Sequence, residues 1–293
     1  GSEYIGMGRD LYENEPTFRA DIDNAFAYLT SLIGEDLKPV LYPQGEIQLE
    51  KAWEKIHRFY YTQPVKFIYE YANTRLLMRK GLEPYALMGY SFGEYMVACI
   101  AGVISMEDAL AVLMKRGEIM AKAPAGAMTG VALSEAELEP MLKPGLYIGG
   151  INTDRMCLVS GEAGAVADFE KELEAKHIDF FRYRAACGGH SPLMDPILPE
   201  LARELEKISY HKPRIPYVSG LTGTWITDEE ALDPHYFTRQ LRSPVLFARA
   251  LEALFKNPGV IFLEVGPGTT LANYVNHYRD SGRWKLRRGC GRY

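Results

Sequence analysis

The chain has 293 residues, 47% of them hydrophobic, and a formal net charge of -5 from 33 basic and 38 acidic residues. This length allows a large buried core and favours two domains. The charge balance provides no basic surface for nucleic acid or an anionic membrane, so we expect a small ligand or a protein partner instead. No stretch approaches the ~20 apolar residues of a membrane span and no secretory signal pattern is present, which predicts a cytoplasmic protein.

The first part of the chain is predicted to contain an α/β unit. Helical periodicity covers residues 64–81 and 105–121, and the apolar run at residues 85–88 is typical of a short buried strand between them. The order helix, strand, helix belongs to the α/β class.

Residues 125–187 have a different pattern, with short β-type runs separated by two helical segments. The β-type runs lie at residues 126–133, 146–152, 156–161 and 178–184, and the helical segments at residues 134–142 and 162–177. Strand, helix, strand, strand, helix, strand is the ferredoxin-like order. We therefore predict an α/β protein with a ferredoxin-like small subdomain at residues 125–187, inserted into a large subdomain of residues 1–124 and 188–293.

The α/β pattern resumes in the last third of the chain. It predicts helices at residues 192–208 and 244–256 and strands at residues 215–220 and 260–266. The four cysteines are widely spaced, which favours reduced thiols over a disulfide framework or a zinc site; they are Cys99, Cys157, Cys187 and Cys290.

The segment Gly89-Tyr90-Ser91-Phe92-Gly93 follows the predicted strand at residues 85–88 and precedes a helix. Gly-x-Ser-x-Gly in this setting is a nucleophile elbow, a turn so tight that we expect only glycine to fit at both flanks. The serine hydroxyl then lies at a helix N-terminus, where the amide of Phe92 is a candidate donor to the oxyanion of acyl transfer. The alternative is a serine that caps the helix.

A serine nucleophile needs a base, and histidine is the usual one. Of six histidines, His190 lies in a glycine-rich loop, Cys187-Gly188-Gly189-His190, that leads directly into a predicted helix. From the local sequence alone, a catalytic base and a helix-capping histidine are equally good interpretations.

Four motifs in a fixed order resolve this ambiguity: GYSFGEY at residues 89–95, Arg116-Gly117, GGHSPLMDP at residues 188–196 and LEVGPGTTLANYV at residues 263–275. Together they resemble the acyltransferase family that loads malonyl-type units onto acyl carrier proteins. That family comprises malonyl-CoA:acyl-carrier-protein transacylases and the acyltransferase domains of polyketide synthases. The resemblance covers nearly the whole chain and implies an α/β hydrolase-like large subdomain carrying a ferredoxin-like insertion.

The resemblance implies a ping-pong reaction with no bound cofactor and no metal. Ser91, deprotonated by His190, takes the acyl group from acyl-CoA and passes it to the phosphopantetheine thiol of an acyl carrier protein. The second ring nitrogen of the histidine donates to a backbone carbonyl, and the matching position here is Gln240. Neighbouring polyketide synthase domains are further partners that the resemblance suggests.

Substrate selection is expected to depend on Arg116, which in the family pairs with the free carboxylate of malonyl groups. Without the resemblance, a surface arginine on a helix is the simpler interpretation. The family carries Phe or Ser beside the catalytic histidine, whereas this chain has Gly188 and Gly189 after Cys187, which leaves room for a substituted malonyl unit. The large Phe92 after the nucleophile favours plain malonyl, which we rank slightly ahead.

Two further positions are assigned to the pocket by the resemblance. Gln63 matches a family glutamine, although a structural role at a helix start fits equally well, and Tyr90 replaces the usual histidine before the nucleophile. The family also has an N-terminal strand and a Gly-Gln-Gly-Ser loop that completes the oxyanion hole, while the sequence given starts at Gly1-Ser2-Glu3.

Two other function classes remain open. A serine hydrolase acting on acyl thioesters shares the nucleophile elbow but has no need for Arg116. An inactive docking domain is compatible with Tyr90 in place of histidine.

Overall fold

The computed structural model describes residues 3–183, 187–257 and 259–280. The α-helices are α1 (Arg9–Asn14), α2 (Pro16–Ile33), α3 (Lys38–Leu41), α4 (Gly45–Lys55), α5 (Phe59–Arg79), α6 (Gly93–Ala101), α7 (Met106–Met120), α8 (Glu135–Leu138), α9 (Ala163–Ala175), α10 (Leu198–Leu205), α11 (Asp228–Leu232), α12 (Tyr236–Arg242), α13 (Phe247–Phe255) and α14 (Thr270–Asp280). The strands are β1 (Leu87–Met88), β2 (Gly126–Val131), β3 (Leu146–Thr153), β4 (Met156–Glu162), β5 (Phe180–Arg182) and β6 (Tyr217–Val218), and 3-10 helices cover Glu139–Met141 and Pro192–Ile197.

The helices before β2 surround the largest hydrophobic core. Helix α5 packs against α2 and α7, and Phe18, Phe67 and Tyr95 are fully buried where helices meet. Strand β1 pairs in parallel with β6, so Leu87 lies beside Tyr217 and Met88 beside Val218. This short parallel pair leads directly into the segment that carries Ser91.

Strands β2 to β5 form one antiparallel sheet in the order β3-β4-β2-β5. Helix α9 packs on β2 and β4 over a separate core that includes Val131, Val159 and Phe169. Numbered within this unit, the strand order is 2-3-1-4, which is the ferredoxin-like arrangement. The sheet lies within the predicted residues 125–187, and the proposed domain boundaries remain a prediction.

Two backbone connections join this sheet to the rest of the protein. Ala125 pairs with Cys187 where the chain enters and leaves the sheet region. On the sheet edge, the Val245 N–H donates to the Gly149 carbonyl over 3.0 Å and the Ile151 N–H donates to the Val245 carbonyl over 2.8 Å. The edge strand β3 is therefore fixed to the segment that precedes α13.

Two predicted elements are wrong in detail. Residues 260–266 form no strand, and Ile261 and Leu263 are 90% and 56% exposed, because these residues have no strand partner within the described part of the chain. The single helix predicted at residues 192–208 is a 3-10 turn followed by α10, since Pro196 and Pro199 lack the N–H groups that a continuous α-helix needs. Cys290 lies outside the described residues.

Candidate active site

Ser91 occupies the tight turn between β1 and α6 with a left-handed backbone, φ 51°. A Cβ added at Gly89 would lie 2.5 Å from the Glu94 backbone nitrogen, so only glycine fits there. The expectation that Gly93 is sterically required is wrong, because a Cβ at that position would meet nothing within 4 Å. Phe92 directly precedes α6 and its N–H lies at the helix N-terminus beside Ser91.

The structure brings Ser91 and His190 together, with 2.6 Å between the serine Oγ and the histidine Nε2. The other ring nitrogen, Nδ1, lies 3.0 Å from the Gln240 carbonyl oxygen and 3.0 Å from the Ser243 carbonyl oxygen. Carbonyl oxygens only accept, so Nδ1 carries the ring hydrogen and the Nε2 lone pair faces Ser91. The predicted carbonyl contact of Gln240 is present, and Ser243 provides a second one.

Burial is the main influence on the pKa of the His190 imidazole. Loss of solvent is the largest cause that lowers the pKa of the imidazole and the nearby Arg116 charge lowers it as well, while the hydrogen bonds to Ser243 and Gln240 raise it; the net pKa is about 4. His190 is therefore neutral at pH 7 and able to accept the proton of Ser91.

Arg116 projects from α7 into the interior, where only 3% of it is exposed. Its guanidinium carbon lies 5.8 Å from the centre of the Tyr95 ring. Within the described residues, Nε and Nη1 have no hydrogen-bond partner. A buried cation with unpaired donors is unfavourable unless an anion binds it, so the side chain is suited to hold a carboxylate.

Gln63 lies on α5 against the same helix as Arg116. Its Nε2 is 3.6 Å from the sulfur of Met120, one turn after Arg116, and its Oε1 has no partner among the described residues. This buried amide has hydrogen-bonding capacity to spare near the cation, and its role in binding remains a prediction.

The two glycines before His190 differ in the space around them. A Cβ at Gly188 would lie 2.9 Å from Leu193 Cδ2, so that position is crowded. At Gly189 the nearest atoms would be the sulfurs of Cys187 and Met128, both at 3.9 Å, which is ordinary contact distance. Burial raises the pKa of the Cys187 thiol, so it stays neutral. A methyl group therefore fits at Gly189 in ordinary contact, while Gly188 is too crowded for one.

The Tyr90 side chain contacts strand β3. Its hydroxyl donates to Asn152 Oδ1 over 2.8 Å, and the Asn152 amide donates to the Tyr274 hydroxyl over 3.2 Å. The ring contacts Phe247 with a centroid distance of 5.5 Å. The structure thus places Tyr90 in a contact between the nucleophile elbow, β3 and α14, and its predicted role in substrate binding remains untested.

Three residues of the site were missed by sequence reasoning. Ser243 acts through its backbone carbonyl, which any residue type supplies, and Asn152 is one polar residue in a β-strand. Glu94, which follows the elbow directly, was detectable as an acid in an apolar helix; it is 1% exposed and accepts hydrogen bonds from Tyr236 and Gln240.

The described part of the chain groups no three His, Cys, Asp or Glu side chains as metal ligands. Across residues 3–183, 187–257 and 259–280, no helix has the length and apolar character that a membrane crossing requires.

Comparison with known proteins identifies the family of this chain. The sequence model of the acyl transferase domain family matches residues 1–283. A curated relative, one polypeptide of the phenolphthiocerol/phthiocerol polyketide synthase of Mycobacterium tuberculosis, is 33% identical over 271 residues, covering 92% of this chain and 18% of the relative. This chain therefore spans about a fifth of the length of that relative.

Solved structures match over almost the whole chain. The acyl transferase domain of ZmaA has 38% identity and a TM-score of 0.88, covering 96% of this chain and 65% of that one. The acyl transferase domain of SpnD, in complex with 2-(pent-4-yn-1-yl)malonyl, has 32% identity and a TM-score of 0.88, covering 99% of this chain and 70% of that one. These matches confirm the predicted fold class, and the chain belongs to the acyl transferase domain family.

Proposed function

We propose that this domain transfers a malonyl-type acyl group from CoA to the phosphopantetheine thiol of an acyl carrier protein during polyketide biosynthesis. The observation that carries the proposal is the Ser91–His190 contact of 2.6 Å beside a buried arginine with two unpaired nitrogens among the described residues. The relatives are polyketide synthases and acyl transferase domains, which supports the same reaction class.

The first half-reaction uses His190 as a general base. The Ser91 hydroxyl proton passes to Nε2 while Oγ attacks the thioester carbonyl, and the Phe92 N–H is the donor that we assign to the resulting oxyanion. Collapse of the tetrahedral intermediate breaks the carbon–sulfur bond, and the CoA thiolate takes the proton from His190. The carrier-protein thiol then repeats the sequence in reverse, which releases Ser91 with its proton.

The carbonyl partners of His190 bear on the choice between transfer and hydrolysis. The Gln240 and Ser243 carbonyls orient the ring but supply less negative charge than the aspartate of a hydrolase triad. With a base whose pKa is held at about 4, attack by a thiol is favoured over attack by water, because the thiol needs less help in losing its proton. This makes a transferase a better fit than a thioester hydrolase.

Arg116 is assigned to the free carboxylate of the acyl group. A charge-assisted pair of this kind contributes about 1.5 to 3 kcal/mol, which corresponds to a preference of tenfold or more for malonyl over acetyl groups. Arg116→Ala is expected to reduce loading from malonyl-CoA by at least that factor while leaving loading from acetyl-CoA unchanged or improved.

We assign the wall at Gly189, which has no side chain, to the position of an α-substituent on the malonyl unit. SpnD, a structural relative, is known in complex with a substituted malonyl group. We therefore propose malonyl-type units as the substrate class, with the plain and substituted forms to be separated by experiment.

Intact-mass measurement after exposure to a panel of acyl-CoAs tests the proposal. We expect the mass of a malonyl-type group on the wild-type protein, none on Ser91→Ala, and loss of the added mass when a carrier protein with its phosphopantetheine arm is supplied. Rapid release of free acid without any carrier protein would indicate a hydrolase. No added mass with any acyl-CoA would indicate a docking domain.

A further inference from the structure

Glu94 is a buried acid, and no described cation is bonded to its carboxylate. It is 1% exposed, and each group bonded to the carboxylate is a hydrogen-bond donor: the Tyr236 hydroxyl at 2.6 Å, the Gln240 Nε2 at 3.1 Å and the backbone N–H of Gly220. The mechanism above does not use this carboxylate. Burying a charge is costly unless it is paired or hydrogen-bonded, and here the three donors offset that cost.

The Gln240 side chain connects Glu94 to the nucleophile. The same Nε2 that donates to Glu94 also donates to the Ser91 backbone carbonyl over 2.7 Å. At the other end of the residue, the Gln240 backbone carbonyl accepts from His190 Nδ1. One residue thus contacts both members of the Ser–His pair, and its side chain is held by Glu94.

A second chain of hydrogen bonds fixes the carboxylate from behind. The Ser219 Oγ lies 2.5 Å from the Tyr236 hydroxyl and accepts from the backbone N–H groups of Leu221 and Thr222. With Tyr236 donating to Glu94, the hydroxyl of Ser219 is the donor to Tyr236. The carboxylate orientation is therefore set by the loop after β6.

We propose that Glu94 is a positioning residue that holds Gln240, and through it Ser91 and His190, in the geometry for acyl transfer. This inference rests on the proposed function and adds a residue to its machinery. Because every partner of Glu94 is a donor, the ionised carboxylate is the form that fixes Gln240 most firmly.

The protonation of Glu94 provides a distinctive signature. Burial raises the pKa of this carboxyl to about 7, against the opposing hydrogen bonds of Tyr236, Gln240 and Gly220. The titratable groups that face it are Tyr236 on α12, Tyr217 on β6 and Tyr95 on its own helix, and burial raises the pKa of each. Since His190 titrates at about 4, the base does not produce a change in rate near pH 7. Burial raises the pKa of both Glu94 and Glu70 to about 7, and of these two it is Glu94 that contacts Gln240.

Glu94→Gln tests the proposal. Glutamine has a single acceptor oxygen and no charge, so it cannot accept from the three donors as the carboxylate does, and its hold on Gln240 is weaker. We expect the rate of acyl-serine formation to fall about 10- to 100-fold with little change in the KM for acyl-CoA, as a misplaced but intact catalytic pair predicts. The wild-type rate should fall as the pH drops through about 7, and this limb should be absent in the variant.

Tyr236→Phe gives a graded second test that does not depend on the folding of Glu94→Gln. Removing one donor raises the pKa of Glu94, so the acid limb should move to higher pH. Glu70→Gln is the matched control, because Glu70 is also buried with a pKa raised to about 7 but contacts neither Gln240 nor Ser91 in the structure. It should leave both the rate and the limb unchanged.

Labelling of Ser91 with a fluorophosphonate, followed by intact mass, separates this inference from the proposed function. A wild-type protein that is labelled but never acylated by acyl-CoA would contradict the proposed function alone, and the labelling rate of Glu94→Gln would then test the positioning role. Equal rates and equal pH profiles in Glu94→Gln and wild type, an unmoved limb in Tyr236→Phe, or loss of the limb in Glu70→Gln would each overturn the inference.

Discussion

The nucleophile elbow and the histidine loop hold their reactive residues in the same unusual backbone conformation by different means. Ser91 and His190 both have left-handed backbones, with φ 51° and φ 60°. The elbow is closed by neighbours in sequence: the Gly93 N–H donates to the Tyr90 carbonyl over 2.9 Å and the Glu94 N–H to the Ser91 carbonyl over 3.1 Å. Its tight turn is therefore closed by consecutive residues, and the distant Gln240 side chain adds a bond to the Ser91 carbonyl.

The histidine loop depends on distant parts of the chain. The His190 N–H donates to the Leu241 carbonyl of α12 over 2.8 Å, and the Ser160 hydroxyl of β4 donates to the Gly189 carbonyl over 2.6 Å. A strained backbone persists only where its surroundings fix it, and here those surroundings come from both the β3-β4-β2-β5 sheet and α12. The comparison teaches that the turn at the nucleophile closes mainly through nearby residues, whereas the position of the base depends mainly on distant ones.

The largest expected effect tests whether the two regions act as one unit. Ser91→Ala and His190→Ala should each lower the transfer rate by about 10³-fold or more, and the double variant should be no slower than either single one. A discontinuous transfer assay with purified carrier protein measures these rates. Losses that multiply in the double variant would contradict a shared proton-transfer step.

The pH dependence of stability distinguishes the histidine loop from the elbow, because His190 and Glu94 contribute to the free energy of unfolding with opposite signs. The His190 pKa is lowered to about 4, so the unfolded chain binds a proton that the folded one does not, and the His190 contribution to the free energy of unfolding should fall as the pH drops from about 6.5 to 4. The full effect is on the order of 3 kcal/mol. For Glu94, with a pKa raised to about 7, the sign is opposite: stability present at pH 4.5 is lost as the pH rises to 7.

Urea unfolding across this pH range measures the His190 contribution by subtracting the curve of a His190 variant from that of the wild type. His190→Gln should remove the loss of stability on the acid side, whereas His57→Gln, at an exposed position, should leave the wild-type curve unchanged. An identical pH dependence in wild type and His190→Gln would contradict burial of a neutral imidazole.

The two glycines of the elbow give a smaller effect. Gly89→Ala places a Cβ 2.5 Å from the Glu94 backbone nitrogen, and overpacking of this kind costs about 1 to 3 kcal/mol of stability. Gly93→Ala is the matched variant: its Cβ meets nothing within 4 Å, so we expect unchanged or slightly improved stability, since alanine is the better helix former. Thermal unfolding compares them, and equal losses would contradict the described turn.

The same distinction explains which features the sequence predicts: those formed by nearby residues are predictable, and those that need distant partners are not. Hydrophobic periodicity was sufficient to predict the succession of strands β2 to β5 along the chain, because each strand has its own alternating or apolar sequence pattern. It failed for residues 260–266, since an apolar run becomes a strand only when a neighbour accepts its hydrogen bonds. The prediction that His190 contacts the Gln240 carbonyl came from the family resemblance and not from the local sequence.

Two residues on the histidine side of the site have roles that the sequence could not predict. Ser243 contributes a backbone carbonyl, which every residue type has, so its identity does not reveal the role. Ser160 lies in a strand, and its role depends on the fold that brings its hydroxyl to the Gly189 carbonyl. The roles of such residues depend on contacts between elements far apart in the chain.

Ser160→Ala tests the tertiary support of the histidine loop at its smallest scale. The substitution leaves the Gly189 carbonyl without its donor, which costs about 1 kcal/mol of stability, and the loosened loop should lower the transfer rate several-fold. Thr129→Val in the same sheet removes a similar hydroxyl bond, from Thr129 to the Phe181 carbonyl, away from His190. It should lose comparable stability with no change in transfer rate. If both variants lose rate equally, or if neither loses rate, the Ser160 bond has no specific effect on catalysis. The sheet then supports the fold alone, and the bond from His190 to the Leu241 carbonyl of α12 is sufficient to hold the histidine.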